Sequence, residues 1–256
     1  MKKLVKTKVT DIRGKEFIQS VWTLKDVIAR YFKIQVKDYV DYVRNNPQMF
    51  VTVQEFKKSF KKVSDENYNE IVTEIVDVTV WAHIQGQNFT EQSVQKEIDI
   101  GLTFNINNDR AKEWAANNAW LLIRGIDQTT QEEISNIISD SIDKALSLDE
   151  TAKIIDEKFA QYSEYRASLI ANMEIATAFA EGKDSQFSHY QKYFQIEGYK
   201  SNYDQGDGNV RPEHRENTLE GWIPYNQKFA ATDTLREPHD FNCRCVTRNR
   251  LTKPAE

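Results

Sequence analysis

The sequence predicts a mostly α-helical protein, with a multi-helix body and a small, loop-rich α+β module at the carboxy terminus. Three observations support this fold class. Apolar residues recur at helical spacing from about residue 20 to 197. Capping boxes, in which Ser or Thr precedes Glu by three residues, stand before several of these stretches. From Gly198 onward the composition changes, because four of the five prolines and both cysteines lie there.

Composition limits the classes of function that are open to the chain. The formal net charge of −5 provides no general attraction to nucleic acid or to an anionic membrane. Thirteen Phe, eleven Tyr and five Trp are typical of a folded protein rather than a disordered one. No apolar run approaches the roughly eighteen residues of a transmembrane helix, and the basic start lacks the apolar core of a signal peptide. We therefore expect no membrane association and a cytoplasmic origin.

The first of three predicted regions is helical and covers residues 1–100. Helices are expected to begin near Thr23 and at the capping box Thr52–Glu55. A longer helix is expected over residues 66–85, and the β-branched residues in this stretch make a strand the alternative. Gly86-Gln87-Asn88 then reads as a turn.

The central region, residues 101–197, has the clearest helical pattern. Asn107 and Asn108 can cap a helix that ends at Gly125, and capping boxes at Thr129–Glu132 and Ser147–Glu150 predict two more. A fourth helix is expected from Ser163 to Gly182. The apolar stripes predicted to form the core include Ile134, Ile137, Ile138, Ile142, Ala145, Ala152, Ile155 and Phe159.

The third region, residues 198–256, is a compact module with histidines and cysteines. Short strands are plausible at 199–203, 222–225 and 243–248. Zinc favours ligands of the kind found at His214, His239, Cys243 and Cys245. A bound metal ion also adds to the folding free energy of a small module. The spacing of the cysteines is tighter than in most zinc sites. The alternative is that the histidines bond loop carbonyls and the cysteines pack as small apolar groups.

A second chemical interpretation is a metal-dependent nuclease. His214 would be the general base and nearby carboxylates would hold Mg²⁺. The residues it would use are Asp204, Asp207, His214, Glu216, Asn217 and His239. Against it, the two aspartates lie in a glycine-rich segment, where such residues are usually ordinary turn formers.

Other polar features carry less information. His83 is expected on a helix face, and His189 is expected to pack rather than to bind a ligand. The basic tail holds Arg244, Arg248, Arg250 and Lys253, which could touch the phosphates of double-stranded DNA. A solvated strand edge protected by charge is the alternative.

The order of motifs resembles one known family. Arg211-Pro212-Glu213-His214, Gly221-Trp222-Ile223-Pro224, Phe229 and the run from His239 to Cys245 resemble the carboxy-terminal signature of phage Mu protein F-like minor head proteins. Upstream, Phe104–Asn107, the segment around Asp127 and the segment Arg166–Glu174 are similar to further motifs of that family. The chain departs from the family where Arg211 and His214 replace a pair of cysteines.

The resemblance implies a low-copy virion protein without enzymatic activity, in the capsid interior or at the portal vertex, assembled in the host cytoplasm. Its implied partners are the portal protein and a major capsid or scaffolding protein, and its implied role is head assembly or DNA delivery. The motif residues Asp127, Arg166, Glu174, Arg211, Gly221, Trp222, Pro224 and Phe229 are then structural. We expect the helix around Arg166 and Glu174 to support the carboxy-terminal module, with Trp222 and Phe229 as anchors.

Overall fold

The computed structural model describes residues 13–45, 68–97, 108–144, 146–239 and 243–252. The helical body comprises α1 (Lys15–Asn45), α2 (Tyr68–Glu97), α3 (Asn108–Asp143) and α4 (Leu148–Phe194). The carboxy-terminal module comprises β1 (Tyr199–Tyr203), α5 (Pro212–Leu219), β2 (Ile223–Pro224) and β3 (Val246–Arg250). The prediction of a mostly helical fold with a small α+β module is confirmed.

Some sequence features lie outside the described residues. They are the capping box Thr52–Glu55, the segment Phe104–Asn107, Ala145, Lys253 and residues 240–242 of the run from His239 to Cys245. Within the described ranges, no helix is long and apolar enough to cross a membrane.

The chain divides into two compact units that interleave along the sequence. One unit contains Met1–Val21, Trp81–Asn107 and Met173–Glu256, and the other contains Trp22–Val80 and Asn108–Asn172. The helices α1, α2 and α4 each contribute residues to both units.

The unit with residues 22–80 and 108–172 is built on a three-helix core. The apolar stripes of α1, α3 and α4 meet in one buried cluster: Val36, Tyr39, Val40, Val43, Ile134, Ile137, Ile138, Ala152, Ile155 and Phe159. This confirms most of the predicted stripes. Ile142 is an exception, because it is 44% exposed near the end of α3.

The helices α3 and α4 are longer than the sequence predicted. α3 continues through Gly125, and the hydroxyl of Thr129 donates to the carbonyl of Gly125 at 2.9 Å instead of beginning a new helix. Such bonds to the carbonyl four residues back are compatible with a helix interior. α4 likewise runs through Ser163 and Gly182. The capping box Ser147–Glu150 is confirmed, with Glu150 Oε2 accepting from the Ser147 amide at 2.7 Å.

The predicted turn at Gly86 is wrong, because α2 passes through it without a break. Glycine serves another purpose there: a β-carbon at Gly86 would lie 1.9 Å from the carbonyl oxygen of Phe179 in α4. The ring of Phe179 also packs edge-on against Phe17 at 5.7 Å and Phe89 at 5.6 Å between ring centroids. A residue that usually breaks helices therefore permits two helices to touch.

A three-stranded antiparallel sheet, in the order β2-β1-β3, forms the base of the carboxy-terminal module. The predicted strands at 199–203 and 222–225 are confirmed, while the third begins later than expected. Its first residue, Val246, pairs with Tyr203, the last residue of β1. Cys243 and Cys245 precede the ladder because β1 has no further residue to pair with them.

The module packs on α2 and α4 within the same unit. Arg236 Nη1 lies 2.9 Å from carboxylate oxygens of both Glu181 and Asp184 on α4. The ring of Phe187 lies 4.9 Å from that of Tyr225. The support is thus the stretch of α4 after residue 180, together with the end of α2.

Candidate metal centre in the carboxy-terminal module

The short helix α5 delivers His214 to the interior of the module. Pro212 stands in its first turn, where the missing amide hydrogen costs nothing, and the preceding Arg211 is extended. The buried face of α5 is polar, because it consists of His214 and Asn217. The side-chain amide of Asn202 on β1 donates to the His214 carbonyl at 2.9 Å and so ties the helix to the sheet.

A buried carboxylate, Glu237, lies beside His214. Its side chain is fully buried, and its backbone amide donates to Thr247 Oγ1 at 2.8 Å. The amide of Asn217 donates to Glu237 Oε1 at 3.2 Å, which leaves Oε2 directed at the histidines and Cys243. The peptide bond between Glu237 and Pro238 is cis.

Three ligand atoms form a nearly equilateral triangle. His214 Nδ1 lies 3.4 Å from Cys243 Sγ and 3.4 Å from Glu237 Oε2, and Cys243 Sγ lies 3.7 Å from the same carboxylate oxygen. Cys245 joins the cluster, since its sulfur lies within 4.8 Å of the ligand atoms of His214 and Cys243. The four residues come from α5, from the turn at residue 237 and from the segment before β3.

His239 occupies a different position from the other predicted ligands. Its Nδ1 shares a hydrogen bond of 2.7 Å with Glu237 Oε2, and its ring stacks on that of His214 with centroids 4.7 Å apart. The structure thus places the other three predicted ligands near His214, in two overlapping groups, and adds Glu237, which the sequence analysis missed. The signal available in the sequence was an acidic residue two positions before a candidate histidine ligand.

The two thiols, Cys243 and Cys245, differ in their pKa values. A hydrogen bond from Cys245 is the main cause that lowers the pKa of Cys243. The same bond, together with burial, raises the pKa of Cys245. Cys243 is therefore the more acidic of the two thiols, and a thiolate is the form that binds metal ions.

The space beside this cluster is very small. A cavity of about 20 Å³ is lined by Arg211, His214, Cys243 and Cys245, with four neighbouring residues. Such a volume holds about one water-sized particle. The arrangement suits a structural ion or a water molecule, and it offers no room for a nucleotide.

The remaining motif residues shape the module around this centre. Gly221, just after α5, has a φ of 77°. Glycine adopts this left-handed conformation at no steric cost. Phe229 is fully buried, whereas Trp222 is only partly buried, and Pro224 is exposed at the strand edge. Phe229 is thus the deep apolar residue of the two expected anchors.

The upstream motif residues make contacts in the helical body. Asp127 on α3 accepts hydrogen bonds from Tyr31 Oη and Gln35 Nε2 of α1. Arg166 pairs with Glu133 at 3.3 Å and lies 5.0 Å from the ring centroid of Phe32, so it joins helices of the other unit instead of anchoring the module. Glu174 is partly buried on α4.

The acidic residues of the nuclease interpretation are not gathered at His214. Asp204 accepts from the Gly206 amide at 2.7 Å and Asp207 from the Asn209 amide at 3.0 Å, as expected of turn formers. Glu216 is exposed on α5. In the described part of the chain, neither potential metal-binding group contains any of these three carboxylates.

The two histidines outside the module have no ligand cluster in the described residues. His83 is buried, and Gln87 Nε2 lies 3.3 Å from its Nδ1. His189 is exposed on α4.

The protein thus consists of long helices and a small antiparallel α+β module that contains a buried His/Cys/Glu cluster. Residues 132–248, which are 117 of the 256 residues, match the family model described as Phage Mu protein F like protein. Over this region the chain is similar to the phage proteins that the model describes. A search of curated proteins and a search of solved structures found no match.

Proposed function

We propose that this chain is a minor capsid protein of a tailed bacteriophage, present in few copies and active in procapsid assembly or DNA delivery near the portal. The observation that carries the proposal is the family match over residues 132–248, which includes the whole module up to β3. The partners would be the portal protein and the major capsid or scaffolding protein. The protein would assemble in the host cytoplasm and remain in the virion.

A structural role without catalysis is favoured by the form of the site. The cavity beside His214 has about the volume of one water molecule. A hydrolytic enzyme needs room for its substrate within reach of the general base. The turn-forming contacts of Asp204 and Asp207 also leave these carboxylates without an evident metal role.

Contact with viral DNA would be weak, because the arginines of the basic tail have partners within the protein. Arg244 pairs with Asp207, and Arg250 lies 3.4 Å from Glu97. The guanidinium of Arg248 stacks 3.7 Å from the ring centroid of Tyr203. Binding phosphate would require these contacts to be exchanged, which reduces the net gain.

Copy number in procapsids tests the proposal. Procapsids of the phage that encodes this chain are purified by gradient sedimentation, and quantitative mass spectrometry compares the chain with the major capsid protein. We expect cosedimentation at far below one copy per capsid subunit. Recovery of the protein only in the soluble fraction contradicts the proposal. A deletion mutant separates the two roles, since loss of heads indicates assembly and DNA-filled, non-infectious heads indicate delivery.

A second experiment addresses catalysis. The purified protein is incubated with plasmid DNA and Mg²⁺ or Mn²⁺, beside the variant His214→Ala. We expect intact DNA in both samples. Cleavage by the wild type that disappears in the variant contradicts the non-enzymatic role.

A further inference from the structure

Five potential metal ligands converge inside the module, and the burial of three of them, His214, Glu237 and Cys245, calls for an explanation. Glu237 has a fully buried side chain, and the side chain of His214 is 2% exposed. Within the described contacts, the groups around Glu237 Oε2 are the two histidines and the thiol of Cys243. A buried carboxylate is costly unless it is paired or coordinates a metal. A divalent ion would pair with the buried carboxylate and bind the cysteine sulfur beside it.

The distances between the ligand atoms fit tetrahedral coordination. Zinc bonds of about 2.0–2.3 Å to nitrogen, oxygen and sulfur place neighbouring ligands of a tetrahedron about 3.3–3.8 Å apart. The three measured separations among His214 Nδ1, Cys243 Sγ and Glu237 Oε2 are 3.4, 3.4 and 3.7 Å. These atoms therefore match one face of a tetrahedron. Cys245, which lies within 4.8 Å of the ligand atoms of His214 and Cys243, is the candidate for the fourth corner.

His239 does not fit a corner of the same tetrahedron. Its Nδ1 is 2.7 Å from Glu237 Oε2, which is a hydrogen-bond distance and is shorter than the separation of two ligands on one zinc ion. A hydrogen bond to a coordinating carboxylate is the usual role of an outer-shell residue, which orients the ligand. His239 thus supports Glu237.

We propose that the module binds one zinc ion through His214 Nδ1, Glu237 Oε2 and the sulfurs of Cys243 and Cys245, with His239 as a positioning residue. Two thiolates and one imidazole select a borderline or soft metal over Mg²⁺ or Ca²⁺, which prefer oxygen ligands. The ion joins α5 to the turn at residue 237 and to the start of β3. This inference is independent of any role in the phage head.

Metal content and the spectrum of a cobalt substitute test the site directly. The full chain is reduced, stripped with a chelator, checked for retained helicity and titrated with zinc. We expect one zinc per chain. Replacement by Co²⁺ should produce the intense visible bands of tetrahedral coordination and a thiolate charge-transfer band. Cys245→Ser should retain a weaker site in which that band falls to about half, since one of two thiolates is lost.

Matched variants distinguish ligands from outer-shell residues. Glu237→Gln and Cys243→Ser should lose stoichiometric zinc binding. His239→Ala should keep the tetrahedral cobalt spectrum and bind zinc about 10- to 100-fold more weakly. Glu216→Gln, an exposed acid on α5, and His189→Ala, an exposed histidine on α4, should bind zinc as the wild type does.

Three results overturn the proposal. One is a reduced wild-type chain that takes up no zinc, a measurement that does not depend on any variant folding. Another is a cobalt complex without a thiolate band. The third is a stronger loss of zinc in His239→Ala than in Glu237→Gln, which would make His239 the ligand and Glu237 its support.

Discussion

Gly182 of α4 lies against the backbone of His83 of α2, so closely that a β-carbon at Gly182 would be 1.9 Å from the His83 carbonyl oxygen. The opposed atom belongs to the backbone and cannot rotate away as a side chain can. Either the two helices separate or their hydrogen bonds distort. The contact joins α2 and α4 in the unit that also contains the carboxy-terminal module.

Gly182→Ala should therefore destabilise the protein by at least about 2 kcal/mol, in the range of overpacked interiors. Gly125→Ala is the matched control, because Gly125 also lies inside a helix but has no neighbour within 4 Å of an added β-carbon. There the gain in helix propensity should stabilise by up to about 1 kcal/mol. Urea denaturation followed by circular dichroism measures both, and equal effects of the two changes would refute the close contact.

Lys183, which is fully buried on α4, should make stability depend on pH. Burial is the main cause that lowers the pKa of Lys183 from 10.5 to about 8. Between pH 8 and 10.5 the unfolded chain then holds a proton that the folded chain has released, so this group makes stability rise with pH. The difference between the two pKa values corresponds to about 3 kcal/mol.

Lys183→Met should abolish this rise, even though the variant also loses the hydrogen bond from Nζ to the Thr247 carbonyl. The readout is the change in unfolding free energy between pH 7.5 and 9.5, compared with the wild type. Lys192→Met, an exposed position on the same helix, should keep the wild-type profile. Identical profiles for all three proteins would show that the amine is not buried in solution.

Asp127 should be important for the helical body. Its carboxylate accepts from Tyr31 and Gln35, and both of these residues are buried. Asp127→Ala leaves two donors without their acceptor, so we expect a loss of about 2–4 kcal/mol, at about 1–3 kcal/mol per buried group. Asp140→Ala, at an exposed position of α3, should cost less than about 0.5 kcal/mol. A loss of similar size at both positions would argue against the hydrogen bonds.

Phe229 and Trp222 should differ in their contribution to the module. Phe229 is 0% exposed, so Phe229→Ala should cost about 3–5 kcal/mol. Trp222 is only partly buried, and the guanidinium of Arg250 lies 5.4 Å from its ring centroid, so Trp222→Ala should cost clearly less. Thermal denaturation compares the two variants. A larger loss at Trp222 would make it, and not Phe229, the more important of the two anchors that the sequence predicted.

The sequence by itself determined the helical body, two strands of the module and the residues with metal-binding chemistry. Apolar stripes such as Ile134, Ile137 and Ile138 indicate one buried helix face, because burial follows the helical period. The capping box at Ser147 was also readable, since its hydrogen bonds join residues three positions apart. These features depend on neighbours along the chain.

Only the tertiary structure decided which glycines interrupt helices and which residue completes the site. Glycine is typical of turns, yet Gly86 and Gly182 lie inside helices, because the backbone of a second helix packs closely against each of them. Glu237 stands in a loop without any periodic pattern. Its importance arises from burial beside His214 and Cys243, two residues 29 positions apart in the sequence. Contacts of that kind are set by the packing of distant segments, which local spacing does not encode.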